Sequence, residues 1–250
     1  MRVLGLDVGS RTVDAVWLED GAVTGRAVLD SGYEPQAAAA DLAGRSPYDR
    51  MVATGYGRHA AAERFGAEVI TEIGAYALGA AELFPDTRSI LDIGGQDTKV
   101  IRLGPGGRVL DFEMNDKCAA GTGRFLEVMA RALGLELGEL GAEALMSEDA
   151  ATVSSMCTVF AESEVIGLLH RGEPRGRIAR GLHEAVARRT LSALRRIRAA
   201  PPLLFAAGGA KNPALVEFIR AGVDGDVLLT QDPQTVGALG AALHASCSGS

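Results

Sequence analysis

Two short stretches, Asp7-Val8-Gly9-Ser10 and Asp92-Ile93-Gly94-Gly95-Gln96-Asp97, decide the fold of this 250-residue chain. Each stretch closes an apolar run that is typical of a buried strand, and a second strand-like run follows it. Asp92 stands 85 positions after Asp7, so the strand–turn–strand unit occurs twice. We interpret the two units as an internal duplication.

An Asp-x-Gly turn between two strands has a physical use at a nucleotide site. Glycines let backbone N–H groups approach phosphate oxygens, and the carboxylate can hold a hydrated metal ion that accompanies them. A third glycine-rich turn, Gly208-Gly209-Ala210-Lys211-Asn212, follows a predicted strand and opens a predicted helix, where the backbone can support a nucleotide. A single turn of this kind also occurs in ordinary hairpins, so it is the combination that favours a nucleotide site.

Predicted strands and helices alternate along the chain. Strands are expected at 3–8, 12–18, 22–29, 48–53, 68–70, 89–93, 97–103, 109–112, 203–206 and 227–229, and helices at 34–42, 73–83, 119–133, 137–145, 158–170, 175–199, 212–221 and from 235 onward. This order is typical of an α/β protein. We expect two lobes that share a cleft, residues 1–84 and 85–234, with a last helix at 235–247 packing back on the first lobe.

Composition and charge exclude several classes of protein. The net charge of −7 is a poor match for a nucleic-acid binder. No apolar run approaches the roughly 20 residues that span a bilayer, and the chain enters a strand-like run at Arg2 without a basic-then-apolar leader. We therefore expect a cytoplasmic protein with no membrane contact. Three cysteines are an odd number and do not form a disulfide framework, so we expect those that matter to act as thiolates.

Two of the cysteines, Cys118 and Cys157, each stand just before a predicted helix. A helix N-terminus favours a thiolate through its partial positive charge and its N–H groups. Two thiolates cannot complete a four-thiolate iron–sulfur cluster, but a two-fold axis through the cluster would supply the other two. Cys247 lies in a polar tail and has no such setting. On the residues alone, buried apolar cysteines are the commoner case and zinc also stays open.

The order of these motifs resembles the acetate kinase/sugar kinase/Hsc70/actin superfamily, with 71–81 and Gly237–Ala242 in the positions of its two connecting helices. More specifically, the chain resembles the activators of 2-hydroxyacyl-CoA dehydratases, also called archerases, and the related ATPase subunits of benzoyl-CoA reductases. The resemblance covers nearly the whole chain and is carried by five segments: Gly55-Tyr56-Gly57-Arg58, Asp92–Lys99, Met114–Glu127, Val153–Val165 and Gly237–Leu243.

The resemblance implies an α/β fold of duplicated actin-like (ribonuclease H-like) lobes around a nucleotide cleft. It implies a homodimer that shares one [4Fe–4S] cluster, held by Cys118 and Cys157 of each subunit. It also implies Mg²⁺ and ATP/ADP as cofactors, with hydrolysis driving one electron into an iron–sulfur dehydratase or reductase component. A ferredoxin or flavodoxin would supply that electron.

Carried over position by position, the resemblance implies nucleotide contacts at Asp7, Gly9, Ser10, Arg11 and Thr12 in a first phosphate loop, at Asp92, Gly94, Gly95 and Gln96 in a second, and at Gly208, Gly209, Asn212 and Gln234 around adenosine. Gln96 would orient the attacking water, and Glu72 would bind metal or water, so these two are the expected catalytic residues. The chain departs from the family at Asp14, where Lys is common, and at Ala206-Ala207, where Thr is common. These departures bear on nucleotide affinity.

Other functions remain open at this stage. A small-molecule (sugar) kinase of the same superfamily would need an aspartate base and a sugar-binding insertion, and a non-catalytic nucleotide-binding scaffold would show no ATPase activity. A third alternative keeps the cluster but changes the client to benzoyl-CoA reductase or a double-cubane iron–sulfur protein. The nine arginines of 171–198 favour a solvated helix face over a docking surface or a nucleic-acid site.

Overall fold

The structure is a computed structural model that describes residues 1–154 and 157–247. Ser155 and Met156, which belong to the segment quoted for Cys157, lie outside the described residues. The chain divides into two compact units. The first unit contains Met1–Ile90, Ile101–Phe112 and the chain from Thr230 onward, and the second contains Leu91–Val100 and Glu113–Leu229. The division into lobes at residues 84 and 234 stays a prediction.

The strands and helices follow one another in the order β1 (Arg2–Val8), β2 (Thr12–Glu19), β3 (Ala22–Asp30), α1 (Pro35–Gly44), β4 (Arg50–Thr54), α2 (Arg58–Phe65), β5 (Glu68–Val69), α3 (Glu72–Leu83), β6 (Ser89–Ile93), β7 (Thr98–Leu103), β8 (Val109–Asn115), α4 (Gly123–Ala132), α5 (Leu137–Leu145), α6 (Thr158–His170), α7 (Arg175–Arg196), β9 (Leu203–Ala206), α8 (Pro213–Gly222), β10 (Val227–Leu228) and α9 (Val236–Cys247).

The first sheet has the strand order β3-β2-β1-β4-β5. Strand β1 pairs antiparallel with β2 and parallel with β4, and Asp7 is the register partner of Asp14 on one side and of Thr54 on the other. Because β1 lies at the centre of this sheet, its residues from Val3 to Val8 are all buried. The central position brings the predicted phosphate-loop residue Asp7 to the carboxyl end of a rigid strand.

The second sheet has the strand order β10-β9-β6-β7-β8. Strand β6 is buried along its whole length, as its apolar run predicts. The hydrophobic core of the second unit contains Phe125 and Met129 of α4, Leu140 of α5 and Phe205 of β9, all with almost no exposed surface. These contacts fix α4 against the strands that carry the second Asp-x-Gly turn.

Helices α3 and α9 approach each other closely within the first unit, and small residues allow it. A Cβ added at Gly240 would overlap the carbonyl of Ala75, and one added at Gly79 would overlap the carbonyl of Val236. Helix α9 also packs on β1, where an added Cβ at Gly5 would overlap the carbonyl of Ala238. The two segments expected to be small-residue connecting helices are therefore helices in backbone contact.

Three secondary-structure predictions need correction. Helix α2 was missed because Ala61 is its one buried residue, so the segment carries no apolar periodicity. Strand β8 runs to Asn115 rather than residue 112. Helix α4 begins at Gly123, with Thr122 as its N-cap, rather than at residue 119.

The arginine-rich segment forms helix α7. One face of the helix is buried in the core, and its arginines pair with nearby acids, as in Arg177–Glu173 at 2.7 Å and Arg180–Glu184 at 3.1 Å. Such i,i+4 pairs are typical of a solvated helix face. Among the described residues, every helix is too short or too polar to cross a bilayer.

Candidate functional site

The predicted first phosphate turn joins β1 to β2. The N–H of Gly9 donates to the carbonyl of Thr12 at 3.0 Å, which closes the turn. Ser31, directly after β3, stabilises the turn: its N–H donates to the Arg11 carbonyl at 2.9 Å, and its hydroxyl donates to the Gly9 carbonyl at 2.8 Å. A Cβ at Gly9 would lie 2.8 Å from the Thr12 carbonyl oxygen, so the turn requires glycine there.

The carboxylate of Asp7 is enclosed by glycines. A Cβ at Gly55 would overlap one of its oxygens, and a Cβ at Gly237 would overlap the other. Gly55 has a φ of 85°, which favours glycine independently of this contact. The α9 segment Gly237–Ala242, expected to be a connecting helix, thus contributes to the surroundings of the first phosphate turn.

Glu72 lies within the same unit, in the first turn of α3. Its Oε1 is 3.7 Å from Nη1 of Arg58, and that same nitrogen donates to the carbonyl of Gly55 at 2.9 Å. Arg58 therefore connects Glu72 to the backbone of Gly55, the glycine that packs against Asp7. In the sequence Arg58 stands only within the motif 55–58, whereas the structure pairs it with the predicted site residue Glu72.

The predicted second phosphate turn joins β6 to β7, and a buried lysine stands near the start of β7. The N–H of Gly94 donates to the Asp97 carbonyl at 3.0 Å. Nζ of Lys99 is 3.1 Å from Oδ2 of Asp92 and 2.6 Å from Oδ2 of Asp97, and both Lys99 and Asp92 are buried. The lysine neutralises charge at a turn where two carboxylates converge, and the Asp-x-Gly pattern gave no signal for it.

The predicted adenosine turn, 208–212, follows β9. A Cβ at Gly209 would lie 2.5 Å from Cβ of Ile93, so this glycine lets the turn pack on the end of β6. Ala207 has φ 61° and ψ −169°, a backbone region that is essentially reserved for glycine. Gly208 is exposed at the surface of the second unit.

Asn212, the last residue of that turn, caps helix α8. Its Oδ1 accepts hydrogen bonds from the N–H groups of Ala214 at 3.0 Å and Leu215 at 3.2 Å. Its Nδ2 is 2.9 Å from Nε2 of His183, a buried residue of α7. The side-chain oxygen is therefore engaged within the protein, and the predicted adenosine contact of Asn212 falls to its remaining amide hydrogen or its backbone.

Five further residues predicted to contact nucleotide are exposed or half-buried. Gln96, expected to orient water, is exposed in the second phosphate turn. Gln234 is half-buried in the short 3₁₀ turn Pro233–Thr235 of the first unit. Ser10 and Thr12 are half-buried and Arg11 is exposed.

The Cys118 thiol is exposed in the loop between β8 and α4. Asn115 shapes this loop, since its Nδ2 donates to the carbonyls of Cys118 at 2.8 Å and Ala120 at 3.2 Å. Because α4 begins at Gly123, Cys118 does not stand at a helix N-terminus, and the expectation that it would do so was wrong. Ala119 and Ala120 are good helix formers, but they belong to the loop, where their carbonyls accept hydrogen bonds from the side chains of Thr122 and Asn115.

The first N–H groups of α4 have other partners. Gly123 donates to the carbonyl of Gly94 at 2.9 Å, and Arg124 donates to that of Gly95 at 2.8 Å. The hydroxyl of Thr98 donates to the Gly121 carbonyl at 2.9 Å. Three hydrogen bonds thus join the turn 94–97 and the start of β7 to the end of the Cys118 loop and the start of α4, although these segments are more than 20 positions apart in the sequence.

Cys157 is the N-cap of α6, and its thiol is exposed. The prediction that Cys157 stands just before a helix is therefore confirmed. The N–H and hydroxyl of Ser154 donate to the carboxylate of Glu164 at 2.9–3.1 Å, which ties the preceding segment to α6. Helix α6 packs against α4, so the helices after the two cysteines are neighbours within the second unit.

Helix α6 is apolar on two faces. Ala161, Val165 and Leu168 are buried in the core, whereas Val159 and Phe160 are 68% and 66% exposed. Two large apolar side chains beside an exposed thiol are typical of an interaction surface. Across residues 1–154 and 157–247, no group of three or more His, Cys, Asp or Glu side chains is placed to hold a metal ion.

Comparison with known proteins identifies the family. A model of the BadF/BadG/BcrA/BcrD ATPase family matches residues 4–245. The chain is 44% identical over 254 residues to the activator of lactoyl-CoA dehydratase of Anaerotignum propionicum, which covers 98% of this chain and 97% of that protein.

Two solved structures are similar over almost the whole chain. The activator of the 2-hydroxyisocaproyl-CoA dehydratase from Clostridium difficile with bound ADPNP has a TM-score of 0.91 at 38% identity and covers 99% of this chain and 95% of that one. The (R)-2-hydroxyglutaryl-CoA dehydratase component A of Acidaminococcus fermentans has a TM-score of 0.90 at 34% identity, with coverages of 98% and 97%. The protein is therefore an ATPase of the BadF/BadG/BcrA/BcrD family with its actin-like α/β fold, as the sequence predicted.

Proposed function

We propose that this ATPase is a one-electron donor that activates an iron–sulfur enzyme such as a 2-hydroxyacyl-CoA dehydratase. As a homodimer it would bind Mg²⁺ and ATP, accept an electron from a ferredoxin or flavodoxin, and pass it on under the control of ATP hydrolysis. Relatives named as activators of dehydratases support the activating role. The observation that carries the proposal is the set of hydrogen bonds between the second phosphate turn and the Cys118 loop.

Those hydrogen bonds give nucleotide a mechanical route to Cys118. The carbonyls of Gly94 and Gly95 accept from the first turn of α4, so a shift of the phosphate turn displaces the start of that helix. Thr98, the first residue of the strand after this turn, donates to Gly121, three positions after Cys118. A change at the γ-phosphate is therefore converted into movement of the Cys118 loop by direct bonds, which is the coupling that an ATP-gated donor needs.

The nucleotide ligands we propose are those given by the resemblance. Backbone N–H groups of the turns containing Gly9 and Gly94 would contact phosphates, while Gly208, Gly209 and Gln234 would contact adenosine. Mg²⁺ requires only one or two carboxylates besides water and phosphate oxygens. Asp7 is the carboxylate we propose, because it lies at the end of a central strand and because Gly55 and Gly237, which pack against its two oxygens, carry no side chain that would block them.

The two exposed thiols fit half of a cubane ligand set. A [4Fe–4S] cluster takes four thiolates, so Cys118 and Cys157 of one subunit would need the same pair from a second subunit. The exposed side chains of Val159 and Phe160 lie two and three positions after Cys157 and would be covered in such a dimer. When bound, the cluster would supply the one-electron chemistry.

Iron content tests the proposal. Anaerobically purified protein is expected to be brown, with about four irons per dimer. Cys118→Ala and Cys157→Ala should each bleach the protein, whereas Cys247→Ala should keep its iron and serves as the matched control. Retention of iron in either of the first two variants would show that the ligand assignment is wrong.

The client enzyme is tested separately. Reduced protein with ATP is expected to transfer electrons to a 2-hydroxyacyl-CoA dehydratase component, and transfer without ATP should be negligible. A benzoyl-CoA reductase component and a double-cubane iron–sulfur protein are the alternative acceptors in the same assay. Transfer to one of these alone would keep the donor function and change the client.

A further inference from the structure

His183 is a buried titratable residue that the proposed function leaves unused. It lies in the middle of α7 with no exposed surface, and both of its ring nitrogens have partners. Nδ1 is 2.7 Å from the carbonyl of Ala179, and Nε2 is 2.9 Å from Nδ2 of Asn212. These bonds join the core helix α7 to the end of the turn proposed to hold adenosine.

The bond directions follow from the partners. A carbonyl only accepts, so Nδ1 of His183 carries the hydrogen and donates to Ala179. Oδ1 of Asn212 accepts from two backbone N–H groups of α8, which leaves its Nδ2 as the donor to Nε2. The imidazole must therefore be neutral, because the positive form would place a hydrogen on Nε2 against the amide hydrogen of Asn212. Burial lowers the pKa of His183 and favours this neutral form.

The amide group of Asn212 packs against helix α5. A Cβ at Gly141 of α5 would lie 2.5 Å from Oδ1 of Asn212, so a helix backbone packs directly against the amide. The N–H of Asn212 donates to the carbonyl of Gly209 at 3.1 Å, which connects it to the turn itself. At the other end of the turn, Ala207 has a strained backbone that must be held by its surroundings.

We propose that neutral His183 is a positioning residue for nucleotide: by accepting the Asn212 amide, it holds the turn 208–212 in the shape that binds the adenosine end. This inference rests on the proposed nucleotide role of that turn. His183 itself touches no nucleotide. Its loss should therefore weaken nucleotide affinity while the hydrolytic step, which depends on the phosphate turns, keeps its rate.

The test compares four single variants of the full chain, and the double variant that combines His183→Leu with Asn212→Ser, in steady-state ATPase assays and in ADP titrations by calorimetry. His183→Leu removes the acceptor, and Asn212→Ser keeps a capping oxygen but removes the amide. His183→Gln restores an acceptor near the Nε2 position. Leu182→Ala, a neighbouring core change on the same helix, controls for general loss of stability.

We expect the ADP dissociation constant and the KM for ATP to rise about fivefold in His183→Leu and in Asn212→Ser, as the loss of one hydrogen bond predicts. In both variants kcat should stay within about twofold of the wild-type value. The double variant should be no weaker than either single one, because both changes remove the same bond. His183→Gln should recover most of the affinity. Leu182→Ala should lower the melting temperature and leave KM unchanged.

Equal KM in wild type and Asn212→Ser would overturn the inference, and so would a KM in Leu182→Ala that rises as much as in His183→Leu. His183→Ala, which also removes the acceptor, takes the place of His183→Leu if the latter does not fold. The proposed function fails in a different way, namely if the wild type neither hydrolyses ATP nor binds ADP.

Discussion

The hydroxyl of Thr98 donates a hydrogen bond to the carbonyl of Gly121 at 2.9 Å. Thr98 begins the strand that leaves the second phosphate turn, and Gly121 lies in the loop that carries Cys118. The bond is the one side-chain contact among those that join the two segments, so it can be removed without altering the backbone.

Thr98→Val should weaken the transmission of the nucleotide state to Cys118. The change removes a bond with a net worth of about 1 kcal/mol and keeps the shape of the side chain. In iron-free wild-type protein, the alkylation rate of Cys118 is expected to differ between ADP and a non-hydrolysable ATP analogue. The difference should shrink in Thr98→Val but not in Thr24→Val, which loses a comparable hydroxyl bond to Trp17 in the other unit. The same nucleotide-dependent difference in all three proteins would contradict the coupling.

Ala207→Gly should stabilise the protein. The φ of 61° and ψ of −169° cost a non-glycine residue about 1–3 kcal/mol, whereas glycine adds about 0.5–1 kcal/mol of unfolded-state entropy. A net gain on the order of 1 kcal/mol corresponds to a rise of roughly 2–4 °C in the melting temperature of a protein of this size. Ala206→Gly, at a regular strand position, should lower it instead. A lower melting temperature in both variants would count against backbone strain at Ala207.

Gly240→Ala should be strongly destabilising, because the added methyl group would overlap the carbonyl of Ala75 and force α3 and α9 apart. Overpacking of this kind costs about 1–3 kcal/mol. Gly138→Ala in α5 is the matched control, since the added methyl meets open space and should stabilise the helix by about 0.5–1 kcal/mol. Urea unfolding of the two variants measures their free energies of unfolding. Equal changes in that free energy would refute the close approach of the helices.

Acidification should destabilise the protein through His183. Burial lowers the pKa of this histidine below its ordinary value of 6.5, so the folded protein keeps it neutral while the unfolded chain takes up a proton. The unfolded state then binds more protons, and the free energy of unfolding falls as the pH drops below about 6.5, by at most about 1.4 kcal/mol per pH unit. Urea unfolding between pH 7.5 and 5.5 should show this slope in wild type and a shallower one in His183→Gln. Identical slopes would exclude His183 as its source.

The sequence predicted the fold class and the family correctly. Local sequence patterns were sufficient for the fold class. Buried central strands such as β6 are mostly apolar, and the Asp-x-Gly turns must contain small residues where backbones come close. The small residues of α3 and α9 were likewise visible before their contact was known. The ligand roles of Cys118 and Cys157 stay predictions, since they depend on a second subunit.

Only the tertiary structure decided where α4 begins and what Asn212 does. Ala119 and Ala120 favour a helix locally, but the N–H groups of Gly123 and Arg124 find their acceptors on Gly94 and Gly95, and this distant pairing sets the start of the helix. Asn212 and His183 are 29 positions apart, and no periodicity relates them. Patterns in a sequence report which residues are apolar or small, whereas hydrogen bonds between distant segments exist only after the chain has folded.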